Sequence, residues 1–164
     1  MAVDSTEFRR VVGHFASGVV VVTSEDLATS EMHGVTVNAF ASLSLDPPLI
    51  LVCIAQASQS HDFLTTRPGF AMNVLARRQE PLGERFAGRA PLVGPAFDGV
   101  RYRRGDVGAP LLEGCVAWIE CRRHVVYPGG DHSILVGDVV SASLGDDDDP
   151  LVFFTGSYTH LPWG

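Results

Sequence analysis

Short apolar segments recur along the chain with the spacing of β-strands rather than of long helices. Val19 opens the β-branched run "VVVVT", and "LILVCIA" at 49–55 is apolar throughout. Runs of this length and composition favour strands, and the second favours a strand that is fully buried. The predicted strands cover 19–23, 49–55, 70–75, 111–127, 132–144 and 151–155.

Helical spacing is confined to a few places. Asp4 followed by Glu7 has the form of a capping box, and the apolar residues that follow recur at helical intervals until Gly18 ends the pattern. Two more helices are predicted within 58–69 and over 77–88, a polar loop over 24–33, and no assigned element between 90 and 109.

The order of these elements predicts the fold class. The turn formers "PGGD" at 128–131 join the two longest strand runs into a hairpin. Several strands at short spacing, few helices and no regular alternation of strand and helix favour an antiparallel β-barrel with peripheral helices. With 164 residues and no repeat or linker, a single domain over 1–164 is predicted. Glu120, on an alternating strand, is expected to face solvent.

Net charge argues against one class of partner. The chain has 12 Lys and Arg against 19 Asp and Glu, a formal charge of −7, and its arginines are scattered. Nucleic-acid binding needs a basic footprint, so no such partner is expected. The four aspartates at 146–149 lack the ligand spacing of a calcium loop and are expected to form a solvated loop. No run approaches the ~20 apolar residues of a membrane span, and no leader is visible, so a soluble cytoplasmic protein is expected.

The cysteines and histidines do not predict a metal site. Cys53, Cys115 and Cys121 lie in apolar runs without C-x-x-C spacing, which favours buried thiols in a reducing compartment. Cys115 and Cys121 are six residues apart, wider than the usual spacing of zinc ligand pairs. The six histidines show no ligand spacing either.

Motifs of nucleophilic, metal and nucleotide-loop catalysis are missing, so an enzyme here would take its reactivity from a cofactor. The segment "GVTVNAFASLSLDPPL" at 34–49 fits that requirement. A strand face with small polar residues and then Ala39 lets a flat ligand lie against exposed backbone, and Pro47 and Pro48 then redirect the chain into the next strand. The polar residues of the segment are Thr36, Asn38, Ser42 and Ser44.

A second hydroxyl cluster precedes the short helix within 58–69. Ser58 and Ser60 stand beside His61 and Asp62. Hydroxyls at a helix N-terminus suit an anion such as phosphate. The alternative is that Ser60 only caps the helix, and the residues alone do not decide between the two.

Taken together, "GVTVNAFASLSLDPPLILVC", "SQSHDFL", "FAMNVLA", "RFAG", "GCVAWIEC", "GDHSILVGDV" and "PLVFFTGSY" resemble the short-chain flavin reductases. These are the NAD(P)H:flavin oxidoreductase partners of two-component monooxygenases, and the resemblance runs from Phe8 to Tyr158. It implies a split β-barrel, an antiparallel Greek-key barrel, that dimerises with FMN or FAD at the subunit boundary. It also implies hydride transfer from NADH or NADPH to the flavin, which then serves a partner monooxygenase.

The resemblance assigns roles to individual residues. His132 of "GDH" matches the residue that relatives place beside the nicotinamide, and it is the catalytic candidate. Ala39 stands where many relatives carry serine, which puts flavin affinity or choice in doubt. The implied cofactor-binding residues are Thr36, Val37, Asn38 and Ala39 along the isoalloxazine, Ser42 near the ribityl chain, Ala55, Gln56, Ser58 and Ser60 near the phosphate, and Phe86 and Tyr158 near the flavin or nicotinamide.

Two other functions remain open from the sequence. The first alternative is a flavin-binding protein that serves storage or electron transfer without reductase turnover. The second is an oxidoreductase that keeps FMN permanently bound and reduces an organic substrate directly. The residues do not separate FMN from FAD. No short basic patch suited to a 2′-phosphate is evident, which favours NADH over NADPH.

Overall fold

The computed structural model describes residues 2–88 and 96–162 and is built round a seven-stranded antiparallel sheet. A three-residue 3-10 turn, Arg77–Gln79, precedes the third helix. In chain order the elements are α1 (Ser5–Val12), β1 (Ser17–Gly18), β2 (Val20–Asp26), β3 (Glu31–Val37), β4 (Phe40–Leu45), β5 (Pro48–Ala55), α2 (His61–Thr66), β6 (Gly69–Val74), α3 (Glu80–Phe86), β7 (Tyr102–Arg104), β8 (Pro110–Leu112), β9 (Ala117–Gly129), β10 (His132–Leu144), β11 (Val152–Phe154) and β12 (Ser157–Thr159).

The strand order of the large sheet, β3-β2-β6-β9-β10-β5-β4, forces the sheet to curl. β3 and β4 are its opposite edges, yet only Asn38 and Ala39 join them. In a flat sheet six strand spacings of about 4.8 Å would separate the edges by about 29 Å, and two linking residues span at most about 11 Å. The sheet therefore closes into a barrel with an open seam between β3 and β4. At the end of that seam, the Cys53 N–H donates to the Ala39 carbonyl at 2.9 Å.

Two apolar cores lie on the two sides of this barrel wall. β2 supplies both, because successive side chains of a strand point to opposite faces. Val20 and Val22 enter the barrel interior with Phe70, whereas Val19 and Val21 face a second core outside it. Burial on both faces explains the uninterrupted valine run of this strand. The second core also contains Leu75, Phe86, Phe97, Leu112, Cys115 and Leu151.

The mainly-β prediction is confirmed, with several boundaries corrected. The first helix ends at Val12 rather than Gly18. The predicted strand over 111–127 is two strands, since Gly114 adopts a φ of +82° and the chain turns between β8 and β9. The predicted loop over 24–33 is wrong, because β2 and β3 extend through most of it as a hairpin. The two prolines mark another hairpin turn, with β5 beginning at Pro48.

Glu120 was expected to face solvent, and that expectation is wrong. The residue is only 4% exposed. Its carboxylate accepts a hydrogen bond from the Val107 backbone N–H at 3.0 Å. It also lies where a Cβ on Gly105 would be only 2.1 Å from its Oε2 atom. A glycine in the facing loop therefore makes room for this carboxylate, which anchors the turn before β8.

The prediction of buried thiols is confirmed for Cys115 and Cys121, and Cys53 is half-buried. Burial raises the pKa of each of the first two thiols to about 12. These thiols stay protonated at neutral pH and serve as apolar packing groups.

The capping box expected at Asp4 and the solvated loop expected at 146–149 are both formed differently in the structure. Asp4 caps α1 by accepting from the Thr6 N–H at 3.1 Å, but Glu7 pairs with Arg10 instead of closing a capping box. In the acid run, Asp147 accepts from Arg78 at 2.8 Å, so that run is not simply solvated. Within residues 2–88 and 96–162, every helix is too short or too polar to cross a membrane.

Candidate functional site

A cleft follows the outer face of β3 at the open seam of the barrel. Gly34, Val35, Thr36 and Val37 all border it, and the side chains of Val35 and Val37 pack against the barrel core. The cleft consists of two adjoining spaces that share Thr36 and Ala87, and the larger encloses about 540 Å³. That volume lies within the ~300–1,000 Å³ typical of small-molecule sites. Within the described chain β3 pairs with β2 alone, so its other edge presents backbone N–H and C=O groups to the cleft.

Most of the residues singled out from the sequence meet here. Ala39, Ser42, Gln56 and His132 are not among those that line the described cleft. The predicted residues that do line it are Thr36, Val37, Asn38, Ala55, Ser58, Ser60, Phe86 and Tyr158.

The wall opposite the floor is the C-terminal end of α3, and a glycine sets how closely it approaches. Phe86 is 5% exposed and packs against the second core, with its ring in edge contact with Phe97 at 5.0 Å between centroids. A Cβ on Gly34 would lie 2.8 Å from two ring atoms of Phe86. Only glycine therefore lets this ring rest directly on the β3 backbone.

A second contact fixes α3 to the floor. The Thr36 hydroxyl donates to the Gly83 carbonyl at 2.8 Å. Gly83 is also close to Tyr158, since a Cβ there would be 3.0 Å from the phenol oxygen. Thr36 was expected to contact a ligand, but its hydroxyl is already bonded to the helix. Its role in the structure is to hold the cleft wall in place.

Ser60 lies at the polar end of the cleft and does not act as a side-chain cap of α2. Its hydroxyl is 3.2 Å from His33 Nδ1 and donates weakly to the Gly34 carbonyl at 3.4 Å. The other ring nitrogen of His33 is 2.9 Å from Glu31, and the ring stacks on Phe63 with centroids 4.1 Å apart. The helix-cap alternative for this hydroxyl is thus wrong. Sequence patterns do not indicate His33, because they predict a loop over 24–33.

Arg85 borders the same polar end and was not predicted as a site residue. Its Nε is buried and has no hydrogen-bond partner among the described residues. Arg85 also lines the cleft, so its positive charge favours an anion there. Together with Ser58 and Ser60 it gives this end of the cleft positive charge and hydroxyl donors. A lone arginine on a short helix carries no sequence signal, so only the fold reveals it.

His132 stands beside the cleft rather than in its lining. It begins β10, directly across from Ala55 in the sheet register. Its Nδ1 is 2.7 Å from the Asp131 carboxylate, and its side chain is 44% exposed. That hydrogen bond holds the pKa of Asp131 below its usual value. Gln56 lies close by, with its backbone N–H donating to the Asp131 carbonyl.

The described residues also contain no cluster of three or more His, Cys, Asp or Glu side chains arranged to hold a metal ion. The cleft has a peptide edge along its floor, apolar and aromatic walls and a cationic polar end, and these features suit an organic molecule that carries an anionic group.

Comparison with known proteins assigns the chain to a family. A family model described as "Flavin reductase like domain" matches residues 12–162. The chain belongs to this family. The FMN reductase (NADH) SmoA of Agrobacterium fabrum is 41% identical over 156 residues, which cover 94% of this chain and 85% of that protein.

Two further members of the flavin reductase family show how far the likeness extends. HsaB, the reductase subunit of a flavin-dependent monooxygenase from Rhodococcus jostii, is 37% identical over 98% of this chain and 80% of its own length. The NADH:FAD oxidoreductase SgcE6 of Streptomyces globisporus, solved in complex with NAD and FAD fragments, is 39% identical. It superposes with a TM-score of 0.87 and covers 96% of this chain and 93% of that one. The split-barrel fold expected from the sequence is thereby confirmed.

Replacing Gly34 by Ala tests the close approach of Phe86 to the floor. The new methyl group has to displace a buried ring, and overpacking of this kind costs about 1–3 kcal/mol of unfolding free energy. Chemical denaturation of the purified variants measures the loss.

Gly18→Ala is the matched control, since a Cβ there meets nothing within 4 Å. Equal stability of the two variants would show that Phe86 is free to move and does not shape the cleft.

Proposed function

We propose that this chain is an NADH-dependent flavin reductase that delivers reduced FMN or FAD to a partner monooxygenase. The observation that carries the proposal is the cleft on the free edge of β3, which ends in an unsatisfied Arg85 donor beside two serine hydroxyls. Membership of the flavin reductase family and the names of the similar proteins support the same reading.

The residues of the cleft fit a flavin phosphate and ring. The backbone of Thr36, Val37 and Asn38 would meet the polar edge of the isoalloxazine along the unpaired side of β3. Arg85, Ser58 and Ser60 would hold the phosphate, since charge-assisted hydrogen bonds are among the stronger ones. The Ser60 hydroxyl would bond that phosphate in place of its long contact with the Gly34 carbonyl at 3.4 Å.

The chemistry expected from the protein is positioning. When bound, the flavin accepts a hydride from the nicotinamide and carries the electron pair to its next acceptor. The chain's own residues stack the two reactants at short range and exclude water, and that proximity is a large part of the rate of such a step. Phe153 and Tyr158 close the apolar end of the cleft. His132 would bind the nicotinamide nucleotide where it enters past the start of β10.

We also propose that the protein is a homodimer, formed by one domain per chain in the cytoplasm. Three large apolar side chains lie almost bare on the described surface: Leu45 is 90% exposed, Leu144 83% and Phe15 81%. A subunit contact would cover such side chains, and closed two-fold dimers are the commonest soluble oligomers. Light scattering should give twice the chain mass of 17.6 kDa at micromolar concentration, and a monomer would contradict the shared surface.

Steady-state oxidation of NADH with added FMN, FAD or riboflavin tests the proposed function. Turnover should require added flavin and should be faster with NADH than with NADPH. A yellow protein that does not oxidise NADH would instead be a storage or electron-transfer protein. Oxidation of NADH by an organic acceptor without added flavin would indicate an oxidoreductase with permanently bound FMN.

Replacing His132 by Ala should raise KM for NADH while flavin affinity stays within about twofold of wild type. The loss of one hydrogen bond to the nicotinamide nucleotide predicts about a five- to hundred-fold fall in kcat/KM. Stopped-flow flavin reduction and flavin titration separate the two effects. His124→Ala is the control, because that histidine is also paired with an aspartate on the surface. A parallel loss of flavin affinity, or no change in reduction, would overturn the assignment.

A further inference from the structure

His33 contacts the Ser60 hydroxyl at the polar end of the cleft. Its Nδ1 is 3.2 Å from the Ser60 Oγ, and its Nε2 is 2.9 Å from a carboxylate oxygen of Glu31. Among the described residues, Ser60 lines the cleft and His33 does not. The imidazole can therefore act on a molecule in the cleft through the serine rather than by direct contact.

The imidazole ring of His33 is held in place on its flat side as well. It stacks on Phe63 of α2, with centroids 4.1 Å apart and planes 17° apart. The Arg67 guanidinium lies over the same phenyl ring, 4.9 Å from its centroid, and pairs with Asp26. A ring held in this way presents the same nitrogen to Ser60 whether or not it is protonated.

The Glu31 carboxylate determines which nitrogen of the neutral ring carries the proton. Because a carboxylate accepts hydrogen bonds, the neutral ring has its one N–H at Nε2 and leaves Nδ1 as an acceptor. Nδ1 then accepts the single proton of the Ser60 hydroxyl, in competition with the longer contact to the Gly34 carbonyl at 3.4 Å. In either case the hydroxyl has no proton left to donate to an anion in the cleft.

Protonation of the ring reverses this hydrogen bond. Both nitrogens of a protonated imidazole are donors, so Nδ1 donates to the Ser60 oxygen and the hydroxyl proton becomes free. An anion in the cleft can accept that proton in a charge-assisted hydrogen bond. Because such coupling is reciprocal, an anion at Ser60 and a proton on His33 favour each other.

We propose that His33 is a positioning residue that makes the Ser60 hydroxyl a donor to the flavin phosphate when its imidazole is protonated. The inference rests on the proposed flavin reductase function and on the phosphate lying at Ser60. Histidine side chains change their charge between about pH 5 and 8, so affinity for FMN is expected to rise as the pH falls through this range. Riboflavin has no phosphate and gains nothing from the Ser60 proton.

Other charged groups lie around Ser60 and the His33 ring: Glu31 on the same strand, Asp26 on β2, Asp62 on α2, Arg67 just after α2 and Arg85 on α3. Ser24, which lies opposite His33 on β2, is uncharged. The other imidazole nearby is that of His61, which is 2.8 Å from the Ser133 hydroxyl. A pH effect that comes from His61, or from the flavin phosphate, would persist when His33 is replaced.

His33→Phe tests the proposal, with FMN and riboflavin affinities measured by fluorescence quenching at about pH 6 and about pH 8.5. Phenylalanine keeps a ring to stack on Phe63 but cannot bond to Ser60. The ratio of FMN dissociation constants, variant over wild type, should fall from about ten at the lower pH to about one at the higher. Riboflavin affinity should stay within about twofold at both. His124→Phe is the matched control, because His124 also pairs with a carboxylate but is not among the described residues that line the cleft.

Ser60→Ala gives a second test that leaves the imidazole and its stacking unchanged. Its FMN ratio should fall with rising pH in the same way, because the hydroxyl aids binding only when its proton is free. In the S60A background, H33F should change FMN affinity by no more than about twofold, since residues that act through one contact are not additive.

The outcomes separate this role of His33 from the function itself. An H33F ratio that is the same at both pH values would indicate a merely structural histidine and overturn the proposal. An H33F effect that persists in full in S60A would mean that the imidazole acts on the phosphate directly, which also overturns it, as would FMN binding no tighter than that of riboflavin. Flavin-dependent NADH oxidation stands in each of these cases, and its absence in wild type would contradict the flavin reductase function.

Discussion

The two-residue connection between the opposite edges of the seven-stranded sheet is the constraint on which the rest of the structure depends. Asn38 and Ala39 join β3 to β4 across a distance that a flat sheet would make far too long. The sheet has to close on itself, and the closure leaves a seam where β3 keeps one edge without a neighbouring strand. An unpaired strand edge is normally a liability, because its N–H and C=O groups invite association. Here that edge forms the floor of the cleft.

The placement of α3 follows from this floor. Gly34 lets the Phe86 ring rest on the β3 backbone, and the Thr36 hydroxyl ties the helix to the same strand. The helix also places Arg85 at the polar end of the cleft, and the Nε of that side chain is buried without a partner among the described residues. The positive charge of Arg85 favours an anionic ligand at this end.

The sequence predicts the barrel well, because period-two alternation and β-branched runs mark strands locally. Sequence patterns mispredict the structure where a strand is buried on both faces or where the chain reverses inside an apolar run. Glu120 has the spacing of a solvent-facing residue, yet the loop at Gly105 folds over it. The break between β8 and β9 depends on a positive φ at Gly114 inside an apolar run.

The floor of the candidate site was predictable in the same way, since its residues are neighbours in one strand. The polar end of the site was only partly predictable from the sequence. Ser58 and Ser60 are two residues apart in sequence and can be recognised together, whereas Arg85 and His33 reach them only through the packing of α3 and β3. Long-range packing of single polar residues has no local signature.

Hydrogen exchange of the backbone amides, with and without saturating FMN, tests the central claim most directly. Because the free edge of β3 would bond to the bound ring, peptides that cover 31–38 should exchange more slowly with FMN, and those that cover 55–60 should follow. Peptides that cover 117–122 of β9, where that strand pairs with both β6 and β10, should not change. Binding of FMN without added protection in 31–38 would contradict the account.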